Sequence, residues 1–188
     1  MEIDLVVKNY RCFPDENPAR LRIGNGFIAL LGQNNSGKTA LLRFFYEFRN
    51  LFHQLAQGGM LMNGLRGIRL QFARVQTHDM ESIFSRANDR PLTIEITLSD
   101  TNAGVELTLP RGNPNPVGVC AARLLVDGSP VSPGDIGTDG NRILVRSQDV
   151  DLASFIEAFR RISRTVYIPA FRNAARTNTR PAGRHAAA

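Results

Sequence analysis

The sequence predicts an α/β fold organised around a phosphate-binding loop, with a mixed sheet and an antiparallel β subdomain. Three observations lead there. Gly32-Gln33-Asn34-Asn35-Ser36-Gly37-Lys38-Thr39 fits the pattern G-x-x-x-x-G-K-[ST]. The run Phe27-Ile28-Ala29-Leu30-Leu31 before it is wholly apolar, as a strand buried on both faces should be, and Leu41, Phe45, Phe48, Phe52 and Leu55 after it recur at three- and four-residue steps, predicting a helix from Lys38. Further along, short runs alternate apolar with polar residues between turn signals, as half-buried antiparallel strands do.

The chemistry needs these parts in this order. A di- or triphosphate is a dense anion, and backbone N–H groups of such a loop wrap it where glycine permits close approach. The helix that follows turns its unpaired N–H groups and positive dipole end toward the same phosphates. The residues expected around the phosphates are Gly32, Asn34, Asn35, Ser36, Gly37, Lys38, Thr39 and Ala40, with Lys38 on the β- and γ-phosphate oxygens and the Thr39 hydroxyl on Mg2+. Of 23 basic residues only Lys8 and Lys38 are lysines. A chain so biased toward arginine still places a compact ammonium at the loop position, where a forked guanidinium is no substitute.

In chain order, Ile3, Leu5 and Val7 alternate with charged residues as a half-buried strand, and Pro14, Asn17 and Pro18 turn the chain toward a second strand at Leu21 and Ile23. Gly24-Asn25-Gly26 is a tight turn into the apolar run. Gly58-Gly59 is expected to close the first helix, and Thr77 to cap a short helix through Met80, Ile83 and Phe84. His78, Asp79 and Glu81 read as a solvated first turn more readily than as metal ligands. Leu92, Ile94, Ile96 and Leu98 form a strand, paired in a hairpin with Val105, Leu107 and Leu109; residues 123–126 and 142–146 are further strands. Asp127-Gly128 is a turn dipeptide, favoured over a reading of Leu124-Leu125-Val126-Asp127 as a magnesium-holding strand end. Residues 129–141 are rich in Gly, Pro and Asp. Leu152, Phe155, Ile156, Phe159 and Ile162 mark an amphipathic helix with Asp149 and Asp151 at its start and arginines at its end. Thr165-Val166-Tyr167-Ile168 is a short strand that Pro169 stops.

Composition bounds the remaining possibilities. At 188 residues, with 43% hydrophobic content, the chain is one globular domain or part of one. No apolar run approaches the ~18 residues of a membrane span, the acidic start is unlike a signal peptide, and Cys12 and Cys120 have no metal spacing, so a reduced, cytoplasmic protein is expected. The net charge of +6 lies in the arginines from Arg160 onward, where no acid occurs. Residues 173–188 are expected to form a basic tail that could meet nucleic acid or fill half of a larger interface.

A strand ending in Asn9-Tyr10-Arg11, a return strand, and then G-x-N-N-S-G-K-T-x-L-L resemble the N-terminal part of ABC-type ATPase heads of the OLD, RecF and SMC kind, grouped as AAA family ATPases. The resemblance is strongest over residues 1–56 and implies a P-loop NTPase of ABC-ATPase-head type, with residues 1–172 its N-terminal lobe. It implies ATP and Mg2+ as ligands, a homodimer or second head as partner, no membrane, and service in DNA repair or phage defence. It also places Arg11 near a phosphate, Gln148 as a Q-loop residue sensing Mg2+ and γ-phosphate, and Arg172, in Tyr-Ile-Pro-Ala-Phe-Arg, near the active site. A guanine-reading N-K-x-D is excluded, since Lys8 is the one lysine outside the loop. The signature motif, a Walker B Asp-Glu and a switch histidine are not found, so the lobe is expected to be incomplete, with hydrolysis dependent on a missing half. The alternative is a truncated, non-hydrolysing module that docks on a partner ATPase or nucleic acid. A phosphotransferase using the same loop would need an acceptor site and a lid that the sequence does not show.

Overall fold

The structure is a computed structural model and describes residues 1–26, 28–31, 33, 36–72, 80–112, 118–139, 142–145 and 148–164. Over these the chain is mixed α/β. The strands among the described residues are β1 (Ile3–Lys8), β2 (Ala19–Ile23), β3 (Leu70–Phe72), β4 (Leu92–Leu98), β5 (Ala103–Leu109), β6 (Gly118–Val126), β7 (Ser129–Pro130), β8 (Ile136–Asp139), β9 (Arg142–Val145) and β10 (Gln148–Asp151). The helices are α1 (Lys38–Glu47), α2 (Arg49–Leu55), α3 (Gly58–Leu65) and α4 (Leu152–Ser163), with short 3-10 turns at Met80–Ile83 and Pro133–Asp135.

The larger sheet runs in the order β2-β1-β4-β5-β6-β3, with β7 hairpinned onto β6, and the smaller in the order β10-β9-β8. Every described pairing is antiparallel. The period-two pattern explains the larger sheet: Ile3, Leu5 and Val7 of β1, and Leu92, Ile94, Ile96 and Leu98 of β4, are buried while their neighbours are half-buried. These residues join Phe44, Phe48, Phe52, Phe155 and Phe159 in one core. Phe52 stacks on Phe159, with centroids 6.3 Å apart, where α2 meets α4.

Among the described residues the expected mixed sheet and strand at 27–31 are corrected: the sheets are antiparallel. Residues 28–31 form no strand, no described strand pairs with them, and Leu31 is 91% exposed. An apolar run becomes a buried strand only where a neighbour completes its ladder, and the antiparallel sheet ends at β2. The single helix expected through Leu55 is two helices meeting at Phe48, whose φ of −98° and ψ of 7° leave the helical region. The hydrogen bonds continue across the junction, Phe48 N to Phe44 O at 3.0 Å and Phe52 N to Phe48 O at 3.0 Å, so the apolar face carries through as predicted.

Gly58-Gly59 opens α3 instead of closing a helix. Any Cβ on Gly58 would stand 2.9 Å from Ile156 of α4, so glycine lets the two helices approach. The strand predicted at 123–126 extends back to Gly118, and residues 129–141 hold β7, a 3-10 turn and β8, whose short ladders the periodicity did not reveal. Asp127 and Gly128, with φ of 51° and 73°, make the predicted turn, pairing Val126 with Ser129. Asp151 caps α4, accepting from Ala153 N at 3.0 Å and Ser154 N at 3.2 Å. Among the described residues no helix is long and apolar enough to cross a membrane.

Candidate functional site

Helix α1 begins at Lys38, as the motif requires. Its N-cap is Gly37, in a left-handed conformation with φ 85° and ψ 2°, and no side chain caps the helix. No acid lies in the first turn. Leu41 N reaches Gly37 O at 2.9 Å, so the turn holding Lys38, Thr39 and Ala40 is closed on itself with its N–H groups and dipole end facing the loop. The Lys38 ammonium donates to Gln33 O and, at 3.1 Å, to Ser36 Oγ. It is folded across its own loop, where an anionic oxygen would compete with neutral acceptors for a cation. Thr39 is exposed.

The loop has a wall. A Cβ on Gly37 would stand 2.4 Å from Phe13 Cζ and 3.0 Å from Cys12 Sγ, so both the dihedral and the space demand glycine. Phe13 is fixed by the bend at the end of β1: Phe13 N donates to Tyr10 O at 2.8 Å and Tyr10 N to Phe13 O at 3.2 Å. Asn9 and Arg11 are held there at positive φ, 59° and 49°. Asn9 donates from Nδ2 to Pro91 O at 3.0 Å, and Arg11 N to Ile83 O at 2.9 Å, so the bend is tied to its surroundings. A cavity of about 420 Å³, lined by Phe13, Ala19, Arg20, Leu31, Lys38 and Leu41 among others, opens beside the lysine.

Arg11 is paired with the last residue of α1. Its guanidinium pairs with Glu47 and donates from Nε to Tyr10 Oη at 2.9 Å, while Tyr10 Oη donates to Glu47 Oε2 at 2.7 Å. Glu47 closes α1, nine residues and about 13 Å of helix rise from Lys38. Arg11, expected near a phosphate, here serves the buried Glu47. The helix end disfavours a carboxylate, and a buried acid needs a cation and a donor, which Arg11 and Tyr10 supply. Burial, and then the charge of Glu47, push the Tyr10 hydroxyl far above its ordinary range, so it stays a donor.

Gln148 lies in β10, its backbone paired with Val145 in the smaller sheet. Asp127 sits in the hairpin turn, and Glu81 pairs with Arg111 at 2.8 Å. Gly32, Asn34, Asn35, His78, Asp79, Arg172 and the tail lie outside the described residues. Sequence reasoning missed Phe13, Cys12 and Glu47: nothing in the spacing links positions 12 and 13 to position 37, because the contact is made by a bend between strands. No protein-family profile matches the chain, and no curated protein is significantly similar to it.

Proposed function

We propose that the chain is a Mg-ATP-binding lobe of a P-loop ATPase of ABC-head type, serving ATP-dependent work on DNA. One observation carries the nucleotide reading: the G-x-x-x-x-G-K-T motif ends on a left-handed glycine that caps an otherwise uncapped helix, with Lys38 and Thr39 as the first helical residues. That arrangement fits a phosphate. Gly37 leaves the close approach open, the first turn offers N–H donors, and Lys38 exchanges Gln33 O and Ser36 Oγ for phosphate oxygens. Thr39 is the residue that would hold Mg2+, an ion that neutralises phosphate charge when bound. The residues around Tyr10 and the loop support the ABC-head assignment by resemblance alone, and the DNA role and a second head rest on the same resemblance. The proposal concerns binding. Asp127, weighed as a magnesium ligand from the sequence, belongs to a hairpin turn and contributes no catalytic acid.

Titration of the full chain with Mg-ATP, beside Lys38→Ala, tests the reading. Losing a charge-assisted hydrogen bond of this kind costs about 1.5–3 kcal/mol, so affinity is expected to fall about ten- to a hundredfold. Equal affinity in the two proteins would sink the assignment.

A further inference from the structure

The phosphate loop opens a helix whose outer side is basic. Tyr46 is 41% exposed there. Its neighbours at three and four positions are Leu42, Arg43, Arg49 and Asn50, all exposed, and residues so spaced on a helix stand beside one another. The helical hydrogen bonds run through Phe48 from α1 into α2, so the spacing holds across the junction. Tyr46, Arg49, Asn50 and His53 line a cleft of about 310 Å³, at the small end of the range for ligand clefts, about 300–1,000 Å³. We propose that this face binds single-stranded nucleic acid, with a base stacked on the Tyr46 ring and the flanking phosphates on Arg43 and Arg49. The inference deepens the DNA role proposed above and rests on it for the choice of DNA over RNA.

The charge on this face is one-sided. Among the described residues lining the cleft the sole acid is Glu47, which is buried and already paired with Arg11 and Tyr10. Arg43 enters no ion pair among the described residues. Arg49 donates from Nε to Ser163 O at 3.1 Å, which leaves its two Nη groups to an anion. The same bond sets the end of α4 beside Arg49. Exposed Arg164 follows Ser163 there, on a helix end where Arg160 and Arg161 share one carboxylate, Glu157. Guanidiniums in such excess fit a polyanion, since each phosphate they neutralise releases counterions.

The ring argues for a single strand. An exposed aromatic among cations gives an unstacked base a surface to lie on while its phosphates are held. The bases of a duplex are stacked on one another and offer Tyr46 no face. Arg43 and Arg49 stand three positions to either side of the ring, so they bracket the stacked base.

Anisotropy of a labelled DNA strand of about 15 nucleotides, titrated with the full chain without nucleotide, tests the surface. Binding is expected to weaken with salt. Arg43→Ala is expected to lower the slope of log K against log salt by about 0.7, the share of one phosphate on a single strand. Tyr46→Ala is expected to weaken binding about five- to 150-fold, the worth of one stacked base, and Tyr46→Phe to bind as the parent does. No binding at low salt would overturn the proposal. So would binding that either Tyr46→Ala or Arg43→Ala leaves unchanged, or a Tyr46→Phe chain as weak as Tyr46→Ala. Binding lost only on Arg176→Ala/Arg180→Ala would assign the strand to those arginines, and duplex that displaces the strand mole for mole would show that charge alone is read; both overturn it. Should Tyr46→Ala unfold the protein, as circular dichroism would show, the salt slope of exposed Arg43→Ala decides. Mg-ATP affinity is read in its own titration. A chain that binds nucleotide and not the strand refutes this surface alone, and one that binds the strand and not nucleotide refutes the ATP reading alone.

Discussion

Replacing Gly37 by alanine tests the wall of the loop. Two costs are readable from the coordinates. The residue sits at φ 85°, and a non-glycine residue in the left-handed region costs about 1–2 kcal/mol. The added methyl would lie 2.4 Å from Phe13 Cζ, 2.8 Å from Phe13 Cε1 and 3.0 Å from Cys12 Sγ. The ring has little freedom to yield, because the paired Tyr10–Phe13 backbone bonds fix its root. Overpacking of this kind costs about 1–3 kcal/mol, so Gly37→Ala is expected to lose about 2–5 kcal/mol in all. Urea unfolding followed by circular dichroism measures this directly. A double-mutant cycle separates the two costs: in a Phe13→Ala background the overcrowding is relieved, and only the backbone cost of about 1–2 kcal/mol should remain. A loss below about 1 kcal/mol in the parent chain, or the same loss in both backgrounds, would show that Phe13 does not press on Gly37.

Two further outcomes follow from α4 and the thiols. Asp151→Ala should cost about 0.5–2 kcal/mol, the worth of an N-cap. The Ser154 hydroxyl first, with the Ala153 and Ser154 N–H groups and the charge of Arg142, holds the Asp151 carboxyl below its ordinary range. A depressed folded-state pKa gives stability that is present above the ordinary value near pH 4 and lost as pH falls through the folded one. The gap between the parent chain and Asp151→Ala in urea midpoints should therefore close in acid and stay constant from pH 6 to 8; a gap unchanged in acid would refute the cap. Burial pushes the Cys120 thiol up to about 12, whereas Cys12 is exposed. A thiol reagent at pH 8 should modify one cysteine per native chain rapidly and the second only in denaturant, and rapid modification of both would contradict the packing of β6.

The elements legible in the sequence are those whose signals are local. β1 and β4 alternate strictly and β5 does so from Val105, α4 announces its cap at Asp151, and Asp127-Gly128 names its own turn. The loop motif placed the start of α1 at Lys38. What stayed hidden depends on partners far along the chain. Residues 28–31 look like a buried strand because their composition is right, but a ladder needs a neighbour, and composition does not provide one. Arg11 is expected near a phosphate because it ends a strand near the motif; its pairing with Glu47, 36 positions away, leaves no mark in the spacing. Gly58 read as a helix stop because glycine often is one, whereas here it admits Ile156. The wall formed by Cys12 and Phe13 left no trace in spacing, since it arises from two positive-φ residues at a bend.

The place of β1 in the larger sheet has a consequence for the order in which the molecule comes together. β1 lies between β2 and β4, with Ile3 opposite Leu98, while β4, β5 and β6 follow one another as neighbours. Closing a loop of about 90 residues costs about 3 kcal/mol more chain entropy than closing one of about four. During synthesis the first strand is made early, yet its inner edge has nothing to pair with until β4 has left the ribosome. The bend that carries Phe13 belongs to that waiting hairpin. A chain made from its N-terminus thus keeps the wall of its loop unanchored to the sheet until residues 92–98 have been made.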